Sequence, residues 1–285
     1  MWSQTADKPN RWPYEKSYKT GSGHSIKWHS FFSEVPKGPS IYVGQEFLDA
    51  FPVHQFAYSD KGWRERMVDI DTSPDSDLNF RVVLAPSATP AAKVLLTDVT
   101  VVGRGGTGSG SSSNDSNSPV TATDNFQIGD GLEVCPLAIA TAEDIAKRVQ
   151  QYGGAALFID YGEPFPQADT LRGFRLHESV NVLSEPGRVD ISCDVDFSAL
   201  KLRAERAGAA VPPIVSQGEW LMRMGIVPRL EMLVSSDKTD EKQAEALVAA
   251  AKRLVEPEQM GQKYKVMAIT SQDIRDKVDG FPSRN

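Results

Sequence analysis

Gly153-Gly154-Ala155-Ala156-Leu157-Phe158-Ile159-Asp160-Tyr161-Gly162 runs apolar almost throughout and then closes on an acidic tip. A strand of that composition is expected to be buried on both faces, in a parallel sheet covered by helices. Ligands collect beyond the carboxyl ends of such strands. Just upstream, Thr141-x-x-Asp144 reads as a helix start, with Ile145, Ala146 and Val149 on one face and Gly153 as the stop. Downstream, Asp196 is placed to cap Phe197–Ala207 ahead of Gly208, and Ser216-x-x-Glu219 opens Trp220–Met224 before Gly225. Thr239 and Asp240 begin a longer helix whose apolar face is Ala244, Leu247, Val248, Ala251, Leu254 and Val255, ended by Pro257. Tyr264–Thr270 is a final strand. Alternating helices and strands make the class α/β.

Towards the N-terminus, Ser40–Phe47 begins apolar and turns abruptly acidic. Gly62–Ile70 alternates, and Phe80–Leu84 looks like its partner arm. Residues 1–40 are rich in Trp, Lys, Pro, Gly and Ser without helical or alternating period, the pattern of an extension with little structure of its own. Residues 103–119 contain no apolar side chain, so burial cannot offset their ordering entropy and a flexible loop insertion is expected.

Composition excludes several classes. Lys+Arg 31 against Asp+Glu 38 gives a net charge of −7, which argues against a nucleic-acid binder and a polybasic membrane anchor. No apolar run approaches the ~20 residues of a membrane helix. Cys135 and Cys193 form no dense pattern, so neither a disulfide scaffold nor a structural zinc site is supported, and a reducing compartment, cytosol or organelle matrix, is the default. The N-terminal residues mix Asp7 and Glu15 with Lys8, Arg11, Lys16 and Lys19 and lack an apolar core, so they read neither as a signal peptide nor as a transit peptide.

Gly103-x-Gly105-x-x-Gly108 matches the dinucleotide fingerprint in letters alone. The residues after it cannot anchor the helix whose N-terminal amides would hold the phosphates. There is no P-loop and no nucleophile elbow. His24 and His29 make no metal pair in a segment read as unstructured, and no metal is expected. Glu46 and Asp49 stand where an apolar strand runs out. Two carboxylates at a strand tip can grip a guanidinium or take a proton, or can simply be a helix-start charge and a solvated turn.

Three blocks together resemble the MidA-like family of S-adenosylmethionine-dependent methyltransferases, whose mitochondrial members include a protein arginine methyltransferase that serves as a complex I assembly factor. The first is Val35-Pro36-Lys37-Gly38 with Gln45-Glu46-Phe47-Leu48-Asp49-Ala50-Phe51-Pro52-Val53-His54-Gln55-Phe56, continued by Trp63-Arg64-Glu65 and Leu84-Ala85-Pro86-Ser87-Ala88-Thr89-Pro90. The second joins Gly153–Gly162 to Asp169-Thr170-Leu171-Arg172-Gly173-Phe174 and Asp194-Val195-Asp196-Phe197. The third is Trp220-Leu221-x-x-Met224-Gly225-Ile226 with Met260-Gly261-x-x-Tyr264-Lys265-Val266.

The resemblance implies the C-terminal portion of a Rossmann-like class I methyltransferase sheet, with extra helices and a small β insertion. Residues 1–36 would be a poorly structured extension. Residues 37–282 would be an incomplete methyltransferase-like domain with a disordered insertion at 103–127. It implies S-adenosyl-L-methionine as cofactor, although the family's glycine-rich loop has no counterpart in the forty residues before the matching strand. By resemblance Glu46 and Asp49 would be the carboxylates that hold a substrate guanidinium, with Gln45, Asp160, Tyr161, Arg172 and His177 shaping the substrate pocket. Gln45 stands where relatives often have Asn or His. Asp160 could instead cap a turn, and Arg172 could instead pair with Asp169. The expected partner is a protein substrate, a subunit of respiratory complex I, in the mitochondrial matrix. Two functions stay open: an arginine methyltransferase whose present chain is by itself inactive, or an interaction protein that keeps only the substrate-facing half.

Overall fold

A computed structural model of the chain describes residues 17–98, 101–102, 119–120, 126–274 and 277–282. The chain divides into two compact units, residues 1–38 and 39–285. In the first, β1 (Ser17–Lys19) pairs antiparallel with β2 (Ser25–Lys27), and a short 3-10 turn follows at Phe32–Glu34. Every residue of both strands is exposed, so there is no buried face to impress an alternating pattern on the sequence.

The second unit opens with β3 (Ser40–Gln45), then β4 (His54–Ser59), β5 (Gly62–Ile70) and β6 (Phe80–Leu84). The paired arms expected at 62–70 and 80–84 are β5 and β6, antiparallel and in register from Arg66↔Leu84 to Ile70↔Phe80. Beyond them lie α1 (Pro90–Asp98), a two-residue pair of β7 (Val101–Val102) and β8 (Pro119–Val120), and β9 (Gly131–Val134), which completes a small sheet in the order β6-β5-β4-β9. Phe56, Ala92, Leu132 and Val134 form its core. The Gly103–Gly108 fingerprint lies outside the described residues.

Helix α2 (Pro136–Tyr152) begins earlier than the Thr141 start read from sequence. Cys135 is its N-cap and Pro136 enters at the first turn, where the fixed φ of proline suits the helix. Ala138, Ala142, Ile145, Ala146 and Val149 bury its inner face, and Gly153 ends it as expected. The decisive strand, β10 (Gly154–Glu163), runs parallel to β3 and antiparallel to the last strand, β16 (Tyr264–Thr270). Burial along it alternates instead of covering both faces. Ala156, Phe158, Asp160 and Gly162 are buried, while Leu157 and Ile159 are half-buried. Sequence reading missed this because small and apolar residues occupy both faces. At its end β10 also pairs with β14 (Val195–Asp196), and the approach is so close that a Cβ on Gly162 would lie 2.1 Å from the Val195 carbonyl oxygen. Between them a small sheet forms from β11 (Arg172–Arg175), β12 (Glu178–Val180) and β13 (Asp190–Ser192).

Helix α3 (Phe197–Arg206) is capped by the Asp196 carboxylate, which accepts from the Ser198 and Ala199 amides. After β15 (Val215–Ser216) comes α4 (Gln217–Arg223), capped by Ser216. Helix α5 (Ile226–Val234) is not among the elements read from sequence, because Gly225 reads there only as a stop. Gly225 instead takes the left-handed conformation (φ 80°) as N-cap of the next helix, and Pro228 sits in its first turn, where proline is tolerated. Helix α6 (Glu241–Val255) has the expected Asp240 start, closed into a capping box by Gln243. None of its residues is fully buried, so its apolar face is covered only in part. On the far edge of the main sheet, Ile41 and Val43 of β3 are 74% and 68% exposed.

Candidate active site at the tips of three strands

Strand β3 ends at Gln45, and Glu46 turns the chain in the left-handed region (φ 46°), a conformation that costs a side-chain-bearing residue energy unless its neighbours impose it. The neighbours do so here. The Glu46 amide donates to the Ile159 carbonyl of β10 at 3.0 Å, and its Oε1 accepts from the Tyr264 hydroxyl of β16 at 2.6 Å. The next amides, of Phe47, Leu48 and Asp49, converge on Oδ2 of Asp160 at 3.1, 2.9 and 3.3 Å. The other carboxylate oxygen accepts from the Tyr161 amide at 3.0 Å. Asp160 is fully buried, so it ties the turn from within and does not reach solvent. Burial, followed by the nearby charge of Asp49, pushes its carboxyl up to about 6, against the opposing pull of those amides.

The two carboxylates expected to act together lie at different depths. Glu46 is exposed, whereas Asp49 is buried. The Asp49 carboxyl is raised by burial and then by the charge of Glu46, and its Oδ1 has no hydrogen-bond partner. Its backbone carbonyl accepts from the Cys193 amide at 3.0 Å, which clamps the turn against the residues before β14.

Tyr161 and Tyr264 face each other across β10 and β16 with ring centroids 4.2 Å apart. The Arg172 guanidinium lies 5.0 Å from the Tyr161 ring centre and pairs with Asp194 at 2.6 Å. Asp169, the surface partner weighed for Arg172, is taken by Arg66 instead. Arg172 is positioned by Glu133 of β9, whose carboxylate accepts from the Thr170 and Leu171 amides at 3.1 and 3.3 Å and from the Thr170 hydroxyl. Gln45 is exposed at the end of β3, opposite Ile159 in register. His177 is not brought to this cluster. It sits exposed at the β11–β12 turn, where it and Leu176 both take positive φ (68° and 51°).

Tyr264 and Glu133 are the residues that sequence reasoning did not assign. Both lie in strands and meet their partners only through the fold. Burial, then the hydrogen bond to Glu46, raises the Tyr264 phenol, so it stays protonated as a donor. Behind this cluster a cavity of about 40 Å³ is lined by Leu48, Leu132, Glu133, Cys135, Cys193 and Asp194 among others. Burial pushes the Cys193 thiol up to about 12, which leaves it protonated and unreactive. Among the described residues no group of acidic, histidine or cysteine side chains could hold a metal ion, and no helix is long and apolar enough to cross a membrane.

Residues 6–215 match a family model described as "Putative S-adenosyl-L-methionine-dependent methyltransferase". The chain belongs to this family. A human relative named protein arginine methyltransferase NDUFAF7, mitochondrial, is 37% identical over 251 residues, which is 88% of this chain and 49% of that protein. The Xenopus laevis protein of the same name is 34% identical over 259 residues, 90% of this chain and 52% of that one. The chain thus spans about half the length of the curated relatives it matches. A crystal structure from Burkholderia thailandensis, solved with S-adenosyl-homocysteine bound, superposes with a TM-score of 0.62 at 25% identity and covers 86% of this chain and 56% of that one. The α/β methyltransferase fold implied by the sequence blocks is the fold found.

The family implies S-adenosylmethionine. Among the described residues, no glycine-rich turn leads from a strand into a helix, and the amides that follow β3 are already consumed by Asp160. The described residues of this methyltransferase family member therefore do not fit the donor's nucleoside. What they build at the strand tips is an exposed carboxylate on an imposed turn, flanked by two packed phenols.

Proposed function

We propose that this chain holds the arginine of a protein substrate in a mitochondrial protein arginine methyltransferase, with Glu46 as the residue that grips the guanidinium. The observation that supports this reading most is the placement of Glu46, forced into a left-handed turn and oriented by the Tyr264 hydroxyl at the carboxyl ends of β3 and β10. A carboxylate fixed in that way accepts charge-assisted hydrogen bonds from two guanidinium nitrogens and leaves the far Nη directed away from the sheet. Alignment of that nitrogen is the main contribution such a site makes, since orientation alone can remove a large part of a transfer barrier. Glu46 is also the nearest base for the proton that the guanidinium loses on methylation.

Asp49 acts behind it as a positioning residue. Buried beside Glu46 and carrying an unmatched oxygen, it adds negative potential to the cleft without contacting solvent. Tyr161 and Arg172 form the flanking wall, with Gln45 at its rim. The relatives' names supply the mitochondrial location, and the sequence resemblance supplies the expectation of a complex I subunit as substrate.

Calorimetric titration of the chain with an arginine-bearing peptide tests the reading without any donor. Binding is expected to fall by about 10-fold or more in Glu46→Gln, the loss of one charged hydrogen-bonding partner worth about 1.5–3 kcal/mol. A lysine or citrulline peptide should bind weakly. Equal binding of the citrulline peptide, or an unchanged affinity in Glu46→Gln, would overturn it.

A further inference from the structure

The β5–β6 hairpin carries a feature that the acceptor site does not use. Val68, Ile70, Val82 and Leu84 share one face of the ladder, with Val68 opposite Val82, and they are 60%, 65%, 51% and 46% exposed. β6 is an edge strand, and among the described residues nothing pairs with its outer side. The connection between the strands carries Asp71, Asp75 and Asp77. Asp69 at the end of β5 is matched by Arg81 at 3.2 Å, whereas Asp75 and Asp77 have no ion pair among the described residues. An open ladder edge beside an apolar face accepts an extended segment by strand addition. The acidic connection selects a cationic one.

The root of the same hairpin is joined to the candidate site. Arg66 pairs with Asp169, whose neighbours Thr170 and Leu171 are held by Glu133, and Arg172 follows directly, over Tyr161. The base of β6 is thereby linked, through Arg66 opposite Leu84, to the wall that flanks Glu46.

We infer that the β6 edge is the docking strand for an extended, basic polypeptide, in which arginine or lysine alternates with apolar residues. Its apolar side chains lie on Val82 and Leu84 and its cations face Asp71, Asp75 and Asp77. This deepens the proposed function, on which it rests for the identification of that polypeptide as the substrate protein.

The test uses the whole chain and a fluorescein-labelled dodecapeptide that alternates arginine and valine, with two counterparts in which glutamate replaces arginine or serine replaces valine. Anisotropy is expected to show binding of the arginine–valine peptide alone, weakened by salt. Val82→Thr/Leu84→Thr keeps strand-favouring residues at both positions and should weaken binding about fivefold, as should Asp71→Asn/Asp75→Asn/Asp77→Asn, the latter also flattening the salt dependence. Glu46→Gln weakens only the grip on one guanidinium, so a saturating concentration of the peptide should still slow hydrogen exchange at residues 80–84 in that variant. On the unaltered chain, the peptide should slow hydrogen exchange of amides in residues 80–84. Binding of the glutamate peptide as tightly as the arginine one, unchanged affinity in both hairpin variants, or no added protection at 80–84 would each overturn the inference. Loss of that protection in Glu46→Gln would instead confine binding to the acceptor site, and would likewise reject the docking edge.

Discussion

The Tyr264 hydroxyl lies 2.6 Å from Oε1 of Glu46 across a sequence separation of 218 residues. One belongs to the opening residue of the last strand and the other to the turn that follows β3. Only the placement of β10 between those strands brings them together. Replacement of Tyr264 by Phe keeps the ring against Tyr161 and removes only the donor. Binding of an arginine peptide should then weaken by about 5-fold, near the worth of one ordinary hydrogen bond, with little change in melting temperature. Titration calorimetry beside a thermal melt separates the two effects.

Asp160 accepts the amides that shape the turn after β3, and its removal should be felt in stability first. Asp160→Ala leaves the Phe47, Leu48 and Asp49 amides facing an empty space in the protein interior. A loss of about 2–4 kcal/mol is expected in urea unfolding, of the order of one or two buried unsatisfied groups. A loss below about 0.5 kcal/mol would show that the turn is held by other means.

The same residue makes a pH prediction. The Asp160 carboxyl is raised to about 6 in the folded chain, while an unfolded aspartate titrates near the ordinary value of 3.8. Between those values the folded state binds more protons than the unfolded state. Its contribution is therefore full below the lower value and is lost as pH rises through the upper one. The urea midpoint of the unaltered chain should fall from pH 5 to pH 7 by more than that of Asp160→Asn, and parallel profiles would refute the assignment.

Gly162 meets β14 too closely for any side chain. A Cβ there would stand 2.1 Å from the Val195 carbonyl oxygen, with φ at 149°. Gly162→Ala should destabilise the chain by about 2 kcal/mol or more and loosen the β10–β14 pairing. Faster hydrogen exchange at Val195 and Asp196 is the confirming measurement.

The exposed Ile41 and Val43 of β3, an edge strand among the described residues, should make the purified chain self-associate. Ile41→Lys/Val43→Lys places charges where two large apolar side chains are exposed, and light scattering of concentrated samples should drop. Scattering unchanged by this pair of substitutions would place the contact elsewhere.

Much of this architecture is written in local pattern. Strands β5, β6, β10 and β16 follow from their runs of alternating or continuous apolar residues, and Asp196, Ser216 and Asp240 signal their helices because N-capping is a contact between near neighbours. Features that depend on distant partners were not legible. Nothing near Asp160 in sequence indicates that it accepts the amides of residues 47–49, and the depth that separates Asp49 from Glu46 is set by the Cys193 contact. The pairing of Arg172 with Asp194 was likewise hidden, because Asp169 is nearer along the chain but is drawn off by Arg66. Sequence proximity favours the wrong partner whenever a third residue competes.

One carboxylate bridging two parallel strands also latches their relative height. If β3 slid by a single position along β10, the amides of residues 47–49 would miss Asp160 and be stranded without acceptors, and every side chain of β3 would exchange faces. The slip is thus penalised twice over, and the elevation of Glu46 above the sheet is settled before any guest arrives.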